Sequence, residues 1–533
     1  MSKLALNVFL AKESCVEFDS VVHKKHVRKK VPVRNDLGFE GVICFGENTR
    51  YVPKWLDWLR NGIEDDIHDV FNSSTRAVLL VRTLGRIFAL AFGHGRFMLA
   101  SEALVLDFGI RVTLNGVDPD SLRAMDTVTI ADIILHEKKQ TSRQTSIRTF
   151  RSDDLGSLLQ RLTGTPRNSE YGTSISGRES VKLTTGVEFD NITTLCKKLY
   201  SLYISDRYRE HFSWYDNVRS VSDPELVDAL DGELLEAIQQ NDHDRFYLAP
   251  PEVIDWETID GFSFTSKGPL WSDLCAKAYL DYFRARERDV RSVKTHYVFA
   301  RSDMDIKHKW RVYNCIVYET TRGDDTYVLF NGHWFRVQKD FAALVNDSVK
   351  RIPGADISLP PCYIGEKESD YNVRASRETG FLCLDAKTIG IGGNQVEVCD
   401  LLTDKNQLIH IKKWRSSASL SHLFLQGTNS AESLLRDESF RLATRQLIEQ
   451  TKPGFPTAIH REGAGELEVV FGIVYSRDVP VHKRLPFFSK LSMMDAAKAL
   501  HAQGVKVSVT RIAEIETRAG LCYNSGHDDK IVL

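Results

Sequence analysis

Short apolar runs closed by glycine, asparagine or aspartate dominate the first 150 positions. LALNVFL, GVICFG, AVLLV, RIFALAF and IRVTL each carry the length and β-branched content of a strand. AVLLV and RIFALAF meet at Leu84-Gly85 and predict two buried strands joined by a tight turn. PKWLDWLRNGI (53–63) predicts a helix, with proline in its first turn and glycine near its end.

From Thr141 to Arg178 serine, threonine, glycine and arginine take over, with one helix-like insert (LGSLLQRL). This stretch reads as a linker or flexible loop. A helix follows around NITTLCKKLYSLYIS. WRVYNCIVYE and TYVLFNGHWFRVQ then read as strands flanking the turn Arg322-Gly323-Asp324-Asp325, and DFAALVNDSVKRI reads as an amphipathic helix. Pro353, Pro360 and Pro361 mark a boundary.

The last third is the most regular. EKESDYNVRAS is helix-like; FLCLDAKTI, QVEVCDLL and LIHIKKW are strands separated by the turns GIGGN and TDKN. SLSHLFLQGTNSAESLLRD has apolar or small residues at a period near 3.6 and predicts a helix. ELEVVFGIVYS, KLSMMDAAKALHAQG and VKVSVTRI complete an order of αβββα–β–α–β. The expected organisation is therefore mixed α+β and multidomain: a β-rich part over 1–150, an α+β part over 151–352 with a flexible entry, and a third part over 353–533.

Composition narrows the class. Of 533 residues, 42% are hydrophobic and 27% charged, as in an ordinary globular protein. The net charge of −2 means that any phosphate binding must come from local basic patches. Nine scattered cysteines with no Cys-x-x-Cys pair argue against a zinc ribbon or a disulfide framework and fit a reducing cytoplasm. The most apolar run is interrupted by Arg82 and Arg86, so no membrane span is expected. P-loop, His-Glu-x-x-His and Gly-x-Ser-x-Gly patterns do not occur.

Strand alternation selects one constellation. With the turn centred on Lys405, Asp400 lies opposite His410, and Lys412 opposite Val398, so Asp400, His410 and Lys412 share a face. Cys399, Leu401, Ile409 and Ile411 take the other face, with Glu397 on that side too. A one-residue slip would dissolve the group. One reading is a phosphodiester-cleaving site: a carboxylate holding Mg²⁺ or Mn²⁺, a lysine neutralising phosphoryl charge, and a histidine as ligand or acid–base. The other is a polar hairpin face with Lys412 snorkelling and His410 half buried.

The αβββαβ order, with Asp400 on the second strand and Lys412 on the third, resembles the PD-(D/E)xK nucleases with their restriction-endonuclease-like core. The resemblance covers about the last third of the chain. It implies a catalytic role for Asp400 and Lys412, with His410 standing where an acid is expected. It also points to Glu368 on the preceding helix, to Glu397 as a migrated metal ligand that alternation places on the wrong face, and to Gln426 on the following helix, which shares a face with His422. Across the whole chain, FGHGRF, DFGIRVTLN, FLCLDAK, EVCDLLTDKNQLIHIKKW and LPFFSKLSM resemble a sporadically distributed bacterial family of unknown function found in phage-defence islands. That implies a defence context, with nucleic acid, a phage-derived trigger or a second copy as partner.

Basic clusters supply candidate nucleic-acid contacts: Lys24, Lys25, Arg28, Lys29 and Lys30, and further on Arg143 and Arg148. A solvated loop and a mobile linker are their alternatives. The aromatic–arginine run YSLYISDRYREHFSWY reads as core more readily than as a base-stacking surface.

Overall fold

A computed structural model describes residues 4–53, 56, 70–130, 134–150, 157–240, 246–302, 305–391, 394–414, 417–459 and 467–516. The helix expected over 53–63 lies largely outside the described residues. The described chain is mixed α+β with several sheets. It forms two compact units: residues 1–129 with 135–220, and residues 130–134 with 221–533. The expected boundaries after 150 and 352 both lie within these units.

The first unit is built on one antiparallel sheet. Its strands are β1 (Leu4–Leu10), β2 (Lys29–Pro32), β3 (Gly41–Phe45), β4 (Arg76–Thr83) and β5 (Arg86–Gly93). Helix α1 (Phe108–Gly116) precedes β6 (Val117–Thr129), β7 (Leu135–Thr145), β8 (Ser157–Pro166), β9 (Ile175–Gly177) and β10 (Val181–Thr185). The spatial order is β2-β3-β4-β5-β1-β10-β9-β8-β6-β7. Leu84 and Gly85 both adopt positive φ, 54° and 68°, as a two-residue hairpin turn requires, so β4 and β5 pair as expected.

Two expectations fail in this unit. The stretch expected to be a linker carries the end of β7, strand β8 in place of the helix-like insert, and β9, because alternate residues of β8 (Leu162, Gly164, Pro166) are buried on one side. IRVTL is helical, not extended. Helix α1 is buried nearly all round, which leaves an apolar run without a visible period. Its Asn115 donates to the carbonyls of Arg111, Leu202 and Ser205 and accepts from the Tyr208 amide, locking it against α2 (Ile192–Ile204).

The second unit begins with α3 (Pro224–Gln239), β11 (Phe246–Leu248) and β12 (Gly261–Ser263). Next come α4 (Ala276–Arg284), β13 (Tyr297–Arg301), β14 (Ile306–Arg311) and β15 (Ile316–Arg322). Then follow β16 (Asp325–Phe330), β17 (His333–Val337) and α5 (Lys339–Lys350). Strands β12, β13 and β14 form a three-stranded antiparallel sheet, and β17, β16, β15 and β11 lie side by side in another. WRVYNCIVYE, expected as one strand, is split by a helical turn at Val312–Cys315. Asp231 of α3 is nearly inaccessible and fully partnered: it accepts from Lys294 Nζ (2.5 Å), Tyr313 Oη (2.5 Å) and Trp334 Nε1 (3.0 Å).

The remainder holds β18 (Cys362–Tyr363), α6 (Glu368–Thr379), β19 (Leu382–Cys383), β20 (Thr388–Ile391), β21 (Asn394–Glu397), β22 (Leu401–Leu402) and β23 (Gln407–Lys413). After them come α7 (Ser417–Arg436), α8 (Glu438–Thr451), β24 (Glu468–Tyr475), α9 (Phe487–Ala502) and β25 (Lys506–Ile515). The six-stranded sheet runs β18-β25-β24-β23-β22-β19. Its centre is parallel, and β24 is buried along nearly its whole length, as parallel strands covered on both faces should be. Strands β22 and β19 add antiparallel, while β20 and β21 form a separate two-stranded hairpin. Glu319 of β15 accepts from the Phe487 and Phe488 amides (2.6 and 3.3 Å), capping the N-terminus of α9.

Candidate metal centre

The β22–β23 register is the one alternation predicts. Leu401 pairs with Ile409 and Leu402 with Leu408, so one step outward Asp400 meets His410. What alternation does not predict is the bend beside it. FLCLDAKTI is not one strand but two, broken at Asp385-Ala386, and QVEVCDLL breaks at 398–400. The Leu384 amide donates to the Asp400 carbonyl (2.9 Å), holding the two breaks together. Ala386 takes a left-handed φ of 60°, unusual for a residue with a Cβ, and its amide donates to Glu397 Oε1 (2.5 Å).

These breaks gather three acids. Ligand atoms of Asp385, Glu397 and Asp400 all lie within 4.8 Å of one another. Asp400 is buried, and its Oδ2 accepts from the Ile411 amide (2.6 Å). Burial pushes the Asp400 carboxyl well above the usual carboxylate range. The Ile411 amide opposes this, while Glu397 and an Asp385 carboxyl close enough to share a proton reinforce it. Glu397 is raised as well, first by burial and then by Asp385 and Glu368; the Ala386 amide and Lys412 pull the other way. Three converging oxygen donors with surplus negative charge suit a hard divalent cation such as Mg²⁺ or Mn²⁺. The donor set fits such an ion.

Lys412 stands beside this group. Its Nζ pairs with Glu368 Oε1 (2.8 Å), and Glu368 Oε2 accepts from the Lys413 amide (3.0 Å). Glu368 is the first residue of α6, where the helix dipole favours a carboxylate.

A family model matches residues 6–513. The chain belongs to the family of unknown function DUF6119. No curated protein and no solved structure matches it. The matched span of this DUF6119 chain contains all three acids and Lys412.

The other candidates of the DUF6119 chain separate from the acids to different degrees. His410 is only 2% exposed, and burial alone pushes its pKa down to about 4, so the ring is neutral; its Nε2 is buried without a partner. It neighbours Phe471 of β24, whose ring packs edge-on against Phe424 of α7. Asp400, Glu397 and Lys412 thus come together around the bend, while no charged group among the described residues acts on His410. Glu368 reaches the acids only electrostatically. Gln426 is half-buried on α7, and among the described residues no hydrogen bond ties it to the acids. Ser430 of the same helix donates to the Val398 carbonyl and steadies the bend.

Asp385 was not foreseen. Its signal was present in FLCLDAK: an aspartate and a small residue interrupt an apolar run two residues after a cysteine. Glu397 reaches the cluster despite its parity because the strand ends before Asp400.

The basic candidates lie on the first unit. Lys24, Lys25, Arg28, Lys29 and Lys30 are exposed, on a helical turn, β2 and the link between them, but Arg28 pairs with Glu47 and Lys30 with Asp19. Arg143 is exposed on edge strand β7, and Arg148 on a short helix. Tyr208 and Phe212 of the aromatic run are buried in the core. Among the described residues no helix is long and apolar enough to cross a membrane.

Proposed function

We propose that the second unit carries a divalent-cation-dependent phosphodiesterase acting on nucleic acid, in a phage-defence setting. The observation that carries this reading is the crowding of Asp385, Glu397 and Asp400 with too little positive charge of their own. Two further features support it. Helix α6, antiparallel β19-β22-β23, helix α7 and parallel β24 follow in the order of a restriction-endonuclease-like core. Lys412 stands one carboxylate away.

In this reading Asp385, Glu397 and Asp400 would hold Mg²⁺ or Mn²⁺, which when bound polarises a phosphoryl oxygen and acidifies a water. The chain departs from the nuclease pattern at His410, and Asp385 and Glu397 make up the missing acid from the bend instead. Lys412, once a phosphate draws it from Glu368, would offset charge on the phosphoryl oxygens. The Ile411 amide keeps Asp400 oriented.

Purified protein with Mg²⁺ or Mn²⁺ should cut DNA or RNA oligonucleotides. Lys412→Ala and Asp400→Asn should each slow cutting by roughly 100-fold or more with unchanged circular dichroism. Equal cutting by both variants would sink the assignment. The buried, neutral His410 at the expected acid position favours a second reading, a nucleic-acid-binding or phage-sensing protein that keeps the fold without the chemistry. Salt-dependent binding with no cleavage under either cation would select it.

A further inference from the structure

The three-stranded sheet of the second unit carries a face that the metal centre does not use. Strand β14 (IKHKWR) pairs with β13 (YVFAR) so that Tyr297 lies opposite Arg311 and Phe299 opposite Lys309. It is an edge strand. Lys309 and Arg311 are exposed, and Lys309 Nζ sits 4.2 Å from the centroid of the half-buried Tyr297 ring and 5.5 Å from that of Phe299. The two cations and the two rings therefore occupy one side. Lys307, also exposed, is the extra residue at the bulge where the register shifts, and it pairs loosely with Asp305 (3.6 Å).

The opposite side differs. His308 and Trp310 stack at 5.1 Å, and both ring nitrogens meet Glu252 Oε1, at 3.2 and 2.8 Å. That side is tied down by its own acid. On the Tyr297 side no carboxylate among the described residues pairs with Lys309 or Arg311. Arg311 only donates to the Lys294 carbonyl (3.3 Å).

Edge lysines commonly protect a sheet from pairing with another chain. That role calls for charge but not for an aromatic ring beneath it. Cations that can reach phosphates, set around a ring that can stack a base, are the ingredients of single-strand recognition, because every base has a flat face and a duplex hides it. The basic cluster of the first unit is a weaker contender, since Glu47 and Asp19 already answer two of its cations.

We infer that the Tyr297–Lys309–Arg311 face binds single-stranded nucleic acid. Lys309 leaves the Tyr297 ring for a phosphate, a base takes its place on the ring, and Arg311 holds the next stretch of backbone. This binding does not depend on the acidic cluster, so it can be measured with divalent cations removed.

The test is fluorescence anisotropy of the full chain in EDTA with a labelled oligo-dT, its RNA counterpart and a duplex of equal length. Single strands should bind more tightly than the duplex. Lys309→Glu with Arg311→Glu should weaken single-strand binding at least tenfold and lower the slope of log affinity against log salt by about 1.4, roughly 0.7 per lost contact. Tyr297→Leu, which keeps apolar bulk, should weaken it by roughly tenfold without changing that slope. Unchanged affinity and slope in the Lys309/Arg311 variant, or binding to phosphatidylserine vesicles instead of oligonucleotides, would overturn the inference. Loss of cleavage with this binding intact would count against the metal centre alone.

Discussion

Two aspartates of the second unit are almost equally buried, yet their surroundings are opposite. Asp231 is ringed by an ammonium, a phenol and an indole N–H drawn from separate segments. Asp400 has one backbone amide and two further carboxylates. A buried carboxylate surrounded by donors completes its own electrostatics and serves the scaffold. One surrounded by carboxylates leaves charge unanswered, which the fold tolerates by holding a proton on it. Depth of burial does not separate these roles; the sign of the neighbours does.

The contrast is open to attack from both sides. The largest effect is expected at the scaffold: Asp231→Ala strands Lys294, Tyr313 and Trp334 and should cost about 3 kcal/mol in urea unfolding. A cost below about 1 kcal/mol would remove Asp231 from that category. Next, Mg²⁺ or Mn²⁺ at ten times its dissociation constant should stabilise the protein by about 1.4 kcal/mol, a rise of a few degrees in melting temperature. Asp400→Asn should erase that rise; an equal rise in both proteins would place the ion elsewhere.

The smallest effect concerns pH. The Asp400 carboxyl is raised in the folded protein, so the fold holds its proton more tightly than the unfolded chain does. The resulting stabilisation is complete below the unfolded value, 3.8, and is lost as pH rises through the raised folded value. Cation-free protein should therefore weaken from pH 4 upward. At pH 8 Asp400→Asn should be the more stable of the two proteins in urea unfolding. A pH profile shared by both proteins would show that the crowding carries no cost.

Much of the site was legible because β23 is regular. Its turn set the pairing of Asp400 with His410, and side-chain parity followed. The rest was hidden by irregularity. Parity placed Glu397 on the far face, and it fails there because two breaks detach the β20–β21 hairpin from the sheet. Asp385 escaped for the same reason, since its turn depends on a left-handed Ala386 that sequence pattern does not signal. His410 was expected among the acids but is sealed beneath α7, whose Phe424 packs on the neighbouring Phe471. IRVTL failed differently: a helix buried on nearly all sides loses the periodicity that would identify it.

The cap that Glu319 places on α9 also has a history in time. Its partners, the Phe487 and Phe488 amides, lie 168 and 169 positions downstream. At roughly 5–20 residues per second, Glu319 leaves the ribosome on the order of 10–30 s before they do. For that interval its carboxylate is free and hydrated, a solubilising charge on an unfinished sheet. Closure of the second unit is thus deferred until α9 has been synthesised.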